Sequence, residues 1–269
     1  MRICYNDSNI ERCSAVDLKR CYMNTDKYSF TVVIPAHNEE KYVARCIGSV
    51  RAAAKYYGGP VQIIVVCNRC TDRTAEIAAK KGAKVILNED RCIAKVRNAG
   101  IFAAKGDVIA TIDCDNRMTK GTLREIAYLL KTGKYIGGGA PIRFERYSFP
   151  LYCNDLLCRL SFGITGLYCG IFWAERTTFQ AIGGFVEKKA MEDVATAKAL
   201  KAYGKSRGKK YTVLRRNLLI NSTRKYDDMG DWLYLTMMLK NAGAFIKAAA
   251  GDKRELDRLL DKLFYDYNG

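Results

Sequence analysis

The sequence lacks a long uninterrupted apolar run. Its longest weakly polar stretch, residues 149–174, is interrupted by Asp155, Arg159 and several glycines, so it falls short of the ~20 apolar residues that span a bilayer. Residues 1–24 carry charged or polar side chains every few positions, without the apolar segment of a secretory signal. We therefore expect no transmembrane helix and no export, and we predict a cytoplasmic location.

Histidine is nearly absent. His37 is the single histidine, and the Cys67-x-x-Cys70 motif has no second Cys-x-x-Cys or His pair to complete a zinc site. The 11 cysteines are an odd number in a long chain without an export signal, which favours reduced thiols over disulfides. The segment VVCNRCTDRT nevertheless places a cysteine pair between a strand and a helix start. A redox enzyme is therefore one hypothesis for the function.

Acidic residues are outnumbered, 28 against 45 basic ones, and the net charge is +17. Such a surplus favours anionic partners, which include nucleic acid, nucleotide phosphates and an acidic membrane face. The densest basic segment, residues 201–216, is most simply interpreted as a solvated loop. We therefore expect no nucleic-acid partner.

Short β-branched runs alternate with helical stretches in the first half of the chain, which predicts an α/β fold with a parallel sheet. The predicted strands are FTVVIP, VQIIVVC, AKVIL and DVIATI, at 30–35, 61–67, 83–87 and 107–112. The predicted helices span 40–57, 71–81 and 92–104. Beyond residue 115 the pattern predicts a helix near 119–131, a glycine-rich turn at IGGGAP, and strands around 140–145, 168–174 and 211–216.

Three segments divide the chain. We predict an N-terminal extension over 1–29, an α/β domain over 30–225 and a C-terminal helical segment over 226–269. The last segment has apolar residues at helical spacing around Trp232, and core packing is its simplest interpretation. The alternative is that this segment lies on the inner face of an anionic membrane as a peripheral contact, because the chain is strongly basic.

Polar residues follow three of the predicted strands, at PAHNEE, CNRCTD and DCDN. Ligands of open parallel sheets bind at the carboxyl ends of strands, so these segments are the candidate site. Asp113 and Asp115 are alternate residues of an extended segment and point to the same side, where they can share one cation. A hard divalent ion held there can bridge to a pyrophosphate.

The order and spacing of six segments over residues 30–225 resemble the inverting GT-A glycosyltransferases of family 2. The segments are TVVIPAHNEE, IIVVCNRCTDRTAEIA, AKVRNAGIFAAKGDVIATIDCDN, GLYCGIFWAERTTFQAIGGF, MEDVATAKAL and STRKYDDMG. The resemblance implies a GT-A (Rossmann-like) fold with a mixed, mainly parallel central sheet, flanking helices and a C-terminal helical appendage. It also implies a nucleoside diphosphate sugar as donor, Mg²⁺ or Mn²⁺ on the Asp-x-Asp, and a glycan or lipid-linked acceptor, in polysaccharide or glycolipid biosynthesis.

The resemblance assigns the donor side to several positions. Pro35, His37 and Glu39 match the loop that contacts the nucleoside. Asn68 stands where the family usually has an aspartate that recognises the base, and an amide both donates and accepts, so an altered base preference is expected. Arg97 matches a further donor-side position.

The metal and phosphate positions are assigned in the same way. Asp113 matches a residue near the ribose and sugar, and it shares the cation with Asp115, which matches the metal ligand. Arg117 stands where some relatives have another metal ligand, but a guanidinium cannot coordinate a cation. Arg224 matches an arginine that reaches the donor phosphates, a role suited to its planar set of donors.

Glu192 and Asp193 match the acidic pair of the family, with Asp193 as the general base that takes the acceptor proton. If the acceptor is an ionised phosphate, as in transfer to a polyprenyl phosphate, no base is needed. A non-catalytic nucleotide-binding protein is a further alternative, suggested by the departures at Asn68 and Arg117. A nucleotidyltransferase is disfavoured because PAHNEE is acidic instead of glycine-rich and basic.

Overall fold

The computed structural model describes residues 28–165, 170–188, 192–232 and residue 236. The predicted N-terminal extension, except its last two residues, and most of the predicted C-terminal helical segment lie outside the described residues. Among the helices that the structure describes, none is long and apolar enough to cross a membrane.

The main sheet has seven strands in the order β3-β2-β1-β4-β8-β6-β9. Their bounds are β1 Phe30–Ala36, β2 Val61–Asn68, β3 Lys84–Asn88, β4 Val108–Thr111, β6 Tyr135–Gly139, β8 Phe172–Glu175 and β9 Lys210–Val213. A second sheet of three strands, in the order β5-β10-β7, comprises β5 Arg117–Met118, β10 Leu219–Asn221 and β7 Ile142–Phe144.

The described helices flank these sheets. They are α1 Val43–Tyr57, α2 Thr74–Lys80, α3 Ile93–Phe102, α4 Thr122–Lys131, α5 Phe149–Thr165, α6 Arg176–Ala181, α7 Glu192–Ser206 and α8 Arg224–Met229.

Strand β1 is the centre of the parallel part of the sheet. It pairs in parallel with β2, from Phe30 with Val61 to Ala36 with Cys67, and also with β4. All its residues are buried, which explains its continuous apolar sequence, because parallel strands are covered on both faces. The registers align the carboxyl ends of β1 and β2, and β4 ends beside them.

The core is divided into two clusters by this sheet. Val32 and Ile34 point to one face, among side chains of α1 and α4, whereas Val33 points to the other, among side chains of α3 and α7. Successive strand residues point to opposite faces, so each face of β1 contributes to one cluster. The result is a sheet with helices packed on both sides.

The sheet becomes mixed beyond β4. Strand β8 is antiparallel to both β4 and β6, and β6 is parallel to β9. The segment IGGGAP, predicted as a turn, is mainly strand β6, and that prediction was wrong. Its glycines allow close strand packing, because a Cβ built on Gly138 would lie 2.0 Å from the Thr212 carbonyl oxygen.

Candidate functional site

The candidate site lies at the carboxyl ends of β1, β2 and β4. His37 follows β1 directly, and its Nδ1 lies 2.6 Å from the carbonyl oxygen of Asn68, at the end of β2. Pro35 lies inside β1 beside Val66, and it is buried. The predicted donor-side residues His37 and Asn68 are therefore adjacent, whereas Pro35 is buried within β1.

Arg97 brings three carboxylates together. The side chain of this α3 residue is 8% exposed, and its guanidinium contacts Asp113 at 2.8 Å, Glu192 at 3.0 Å and Asp193 at 3.1 Å. Its Cζ also lies over the Phe185 ring, 5.1 Å from the ring centroid. The end of β4 and the start of α7 are thus joined through one buried cation.

The protonation of this cluster is shifted by burial and by its charges. Burial raises the pKa of Asp193 to about 7, with the Arg97 charge opposing the rise and the Glu192 and Asp113 charges adding to it. Burial lowers the pKa of Arg97, but attraction to Asp193, Asp113 and Glu192 outweighs it, and the net shift is upwards. Asp193 can therefore accept a proton near neutral pH.

A second cluster forms around Arg224, at the start of α8. Its Nη1 donates to both carboxylate oxygens of Glu39, at 2.9 and 3.0 Å, and its Nη2 lies 3.8 Å from Asp115 Oδ2. Its Cζ lies 5.1 Å from the centroid of the Tyr42 ring. Burial raises the pKa of Glu39 to about 7 against the opposing charge of Arg224.

Arg117 faces Glu145 instead of a cation. Its Nη2 lies 3.3 Å from Glu145 Oε2, and Arg45 Nη1 lies 2.9 Å from the same oxygen. Arg45 Nη2 also donates to the Asp115 carbonyl oxygen at 3.2 Å. No local motif marks Arg45, Glu145 or Tyr42, so the sequence does not predict these residues at the site.

The residues around the Asp-x-Asp fit a cation whose remaining ligands come from outside the protein. Burial and the charge of Asp113 raise the pKa of Asp115, while Arg224 and Lys225 oppose the rise, so added positive charge would relieve the repulsion between the two carboxylates. Within the described residues, no group of three or more His, Cys, Asp and Glu forms a metal cage. A divalent ion would therefore need oxygens from a bound diphosphate or water.

Asn68 is held by a network of its own. Its Nδ2 donates to the Asn88 carbonyl oxygen and Asn88 Oδ1, both at 3.1 Å, and to the Asp90 carbonyl oxygen at 2.7 Å. The Asp90 amide donates to Asn88 Oδ1 at 3.0 Å, which fixes the orientation of the Asn88 amide. These three acceptor oxygens fix the orientation of the Asn68 amide, with its nitrogen directed at Asn88 and Asp90.

Residues 31–155 match the family model described as glycosyl transferase family 2. This segment belongs to glycosyl transferase family 2. The family 2 segment includes His37, Asn68, Asp113 and Asp115, and it ends before Asp193. The family predicted from the segment order is confirmed, and the acidic pair of α7 lies beyond the matched residues.

Among curated proteins, the chain is similar to an uncharacterised glycosyltransferase of Mycobacterium tuberculosis. The two are 32% identical over 103 residues, which cover 38% of this chain and 44% of the relative. The chain thus matches less than half the length of this relative.

Two solved structures share the fold. TarS of S. aureus in complex with UDP-GlcNAc has a TM-score of 0.56 at 18% identity, over 72% of this chain and 58% of that chain. The mannosyltransferase PcManGT from Pyrobaculum calidifontis, in complex with GDP-Man and Mn²⁺, has a TM-score of 0.57 at 16% identity, over 77% and 63%. The described part of the chain has the mixed α/β GT-A fold that the resemblance predicted.

Proposed function

We propose that this chain is a metal-dependent glycosyltransferase that moves a sugar, with inversion, from a nucleoside diphosphate sugar to an acceptor hydroxyl. The acceptor is a glycan or a lipid-linked molecule. The convergence of Asp113, Glu192 and Asp193 on buried Arg97 carries the proposal. It supports a site in which a sugar beside Asp113 is also close to a base.

The donor is bound at the ends of β1 and β2. His37, Glu39 and Asn68 contact the nucleoside, and Arg224 exchanges part of its contact with Glu39 for the donor phosphates. A guanidinium can pair with a phosphate through two donors at once, which suits this exchange. The nucleotide sugars named in the two similar structures support this class of donor.

Asp115 and Asp113 would hold the Mg²⁺ or Mn²⁺ ion. When bound, the ion stabilises the charge that grows on the leaving diphosphate. Arg97 holds Asp113 and Asp193 in a fixed relation, and Asp193 takes the proton of the acceptor hydroxyl. The acceptor oxygen attacks the sugar carbon from the side opposite the leaving group, which inverts that carbon.

Transfer to a polyprenyl phosphate is the second candidate. The direct contact of Arg97 with Asp193, at 3.1 Å, stabilises the carboxylate and so weakens it as a base. An acceptor that arrives as an ionised phosphate does not need that base. A cytoplasmic location suits either acceptor and remains a prediction, as do the domain bounds.

A thermal-shift panel tests the donor site. UDP, GDP, CDP and TDP are each added with and without Mn²⁺, and we expect one of them to raise the melting temperature in a metal-dependent way. Asp115→Ala should abolish this response, whereas the exposed control Glu76→Ala should keep it, because Glu76 pairs with Lys80 on the surface of α2. The absence of any response in the unmodified chain would overturn the proposal.

A further inference from the structure

The cysteines of the motif Cys67-x-x-Cys70 are brought together by a tight turn after β2. Cys67 lies in β2 and is 2% exposed, whereas Cys70 is partly exposed. Between them Arg69 has φ +47°, a left-handed conformation that is uncommon for residues other than glycine. This turn directs Cys70 back towards the strand end, where its Sγ lies 3.5 Å from the carbonyl oxygen of Ala36, the β1 residue that pairs with Cys67. Cys70 packs against the core cluster that contains Cys67, so the two side chains lie on the same face of the sheet.

The two thiols share a proton unequally. A hydrogen bond from the Cys67 thiol lowers the pKa of Cys70 to about 6 against the opposing effect of burial, with help from the Asn38 backbone and the His37 charge. The same bond, together with burial, raises the pKa of Cys67. Cys70 is therefore the nucleophile of the pair, and Cys67 is its proton donor.

Two other cysteines of the described chain differ from this pair. Cys46 and Cys114 are buried, and burial raises the pKa of each of them. Buried thiols of this kind are inert towards oxidants in water. Cys70 is partly exposed, as are Cys92 and Cys153, and it packs against the cluster that contains Cys67.

We propose that Cys67 and Cys70 form a reversible intramolecular disulfide, which makes the turn after β2 a redox modification site. The oxidant is a small-molecule disulfide such as oxidised glutathione. The Cys70 thiolate attacks one of its sulfurs, its S–S bond breaks, and one glutathione thiolate leaves. Cys67 then loses its proton to water, and its sulfur attacks Cys70 and releases the second glutathione thiolate. Two protein thiols are oxidised and one glutathione disulfide is reduced.

The disulfide would act on the nucleotide side of the site, and this step rests on the proposed function. The Asn68 carbonyl oxygen, between the two cysteines, lies 3.8 Å from Cys70 Sγ and 2.6 Å from His37 Nδ1. Cys70 Sγ also lies 3.5 Å from the Ala36 carbonyl oxygen. Disulfide formation would draw the Cys70 sulfur from these two carbonyl oxygens towards Cys67 and so shift the two strand ends, and we therefore expect weaker nucleotide binding.

Peptide mapping tests the modification directly. The full chain is equilibrated in glutathione buffers that range from fully reduced to mostly oxidised. It is then denatured in the presence of iodoacetamide, which alkylates the free thiols, and digested with trypsin without reductant. Trypsin cuts after Arg69, so Cys67 lies in peptide 56–69 and Cys70 in peptide 70–73. We expect these two peptides to be recovered joined by a disulfide that dithiothreitol removes. Recovery of both peptides in alkylated form, or of Cys70 joined to another cysteine, would overturn the proposal.

Variants test the order of the two steps. Cys67→Ser should stop at a mixed disulfide between Cys70 and glutathione, whereas Cys70→Ser should leave Cys67 unmodified because Cys67 is buried. Cys153 is a partly exposed cysteine of α5. The matched control Cys153→Ser should therefore still give the two peptides joined by a disulfide. A glutathione adduct on Cys67 in Cys70→Ser would contradict the assignment of the nucleophile.

The effect on binding is measured separately. The melting shift caused by the best nucleotide with Mn²⁺ is compared between the reduced and oxidised chain, and we expect at least a halving on oxidation. Joined peptides with an unchanged shift would overturn the effect on binding. Joined peptides without a nucleotide response in either state would leave the disulfide standing and remove the proposed function instead.

Discussion

Asn68, which we propose contacts the nucleoside, presents the same kind of atom that an aspartate would. Its amide nitrogen is directed at the oxygens of Asn88 and Asp90, so its Oδ1 is the side-chain atom that remains for a base. That oxygen accepts hydrogen bonds, as a carboxylate oxygen does. The substitution therefore lowers the charge of the site and keeps its acceptor, which favours a donor base with an N–H group facing this residue.

Asn68→Asp should destabilise the chain, because a carboxylate would face three acceptor oxygens in place of a donor. We expect a loss of ~1–3 kcal/mol in the free energy of unfolding, larger at pH 8 than at pH 5, in urea titrations. Asn221→Asp is the control, since the Asn221 amide makes one long contact of 3.4 Å to the Ser222 carbonyl oxygen. Equal losses in the two variants would contradict the role of the network.

Asp193→Asn separates the two acceptor classes. With a hydroxyl acceptor, loss of the base should lower kcat by about 10²–10⁴-fold while the nucleotide affinity stays within a few-fold. With a phosphate acceptor, turnover should be close to normal. The measurement is single-turnover sugar transfer to each acceptor class, with exposed Glu187→Gln as control.

Some site residues could be predicted from the sequence and others could not. Asp113 and Asp115 could be predicted because they follow an apolar run, and the structure confirms that run as strand β4. The contact of Arg97 with Asp193 joins residues 96 positions apart, so it exists only once α3 and α7 pack against the same sheet. Family resemblance pointed to both residues without indicating that they pair.

At the scale of elements, the first half of the chain was predictable because its signal is local. Strands β1, β2 and β4 are buried on both faces, so their apolar runs are continuous and bounded by polar turns. Strand β6 has no such signal. Its three glycines favour a turn in isolation, and the neighbouring strands β8 and β9 override that preference.

Gly138→Ala should test this strand packing. A Cβ at this position would lie 2.0 Å from the Thr212 carbonyl oxygen and 2.8 Å from Trp173 Cζ2, and neither group is a flexible side-chain end. We expect a loss of ~1–3 kcal/mol in the free energy of unfolding, measured by urea denaturation.

Gly48→Ala is the matched control for this prediction. Gly48 lies within α1, and a Cβ built there meets nothing within 4 Å among the described atoms. Alanine is favoured over glycine inside helices by roughly 0.5–1 kcal/mol, so this variant should be slightly more stable. Comparable destabilisation in both variants would show that close packing at β6 is not the cause.

At the scale of the whole molecule, the acidic clusters should make stability fall as pH rises. Glu39 and Asp193 have ordinary pKa values of 4.5 and 3.8, and in the folded chain each pKa is raised to about 7. Between these values the folded state binds more protons than the unfolded state, so its stability is greatest at the acidic end of this window.

We therefore expect the free energy of unfolding to decrease by roughly 2–5 kcal/mol from pH 5 to pH 7.5 through these two groups together. Denaturant titrations at both pH values measure it. The double variant Glu39→Gln, Asp193→Asn should show a correspondingly smaller decrease. The same pH dependence in the double variant and the unmodified chain would exclude these carboxyl groups as its source.

The pairing of Arg224 with Glu39 also sets when the site can first exist during synthesis. These two residues are 185 positions apart in the chain. Since translation adds ~5–20 residues per second, the loop after β1 is made about 10–40 s before its cationic partner. A nascent chain therefore has the strand ends of the proposed nucleotide site long before it has the complete site, and nucleotide binding should be among the last properties that it acquires.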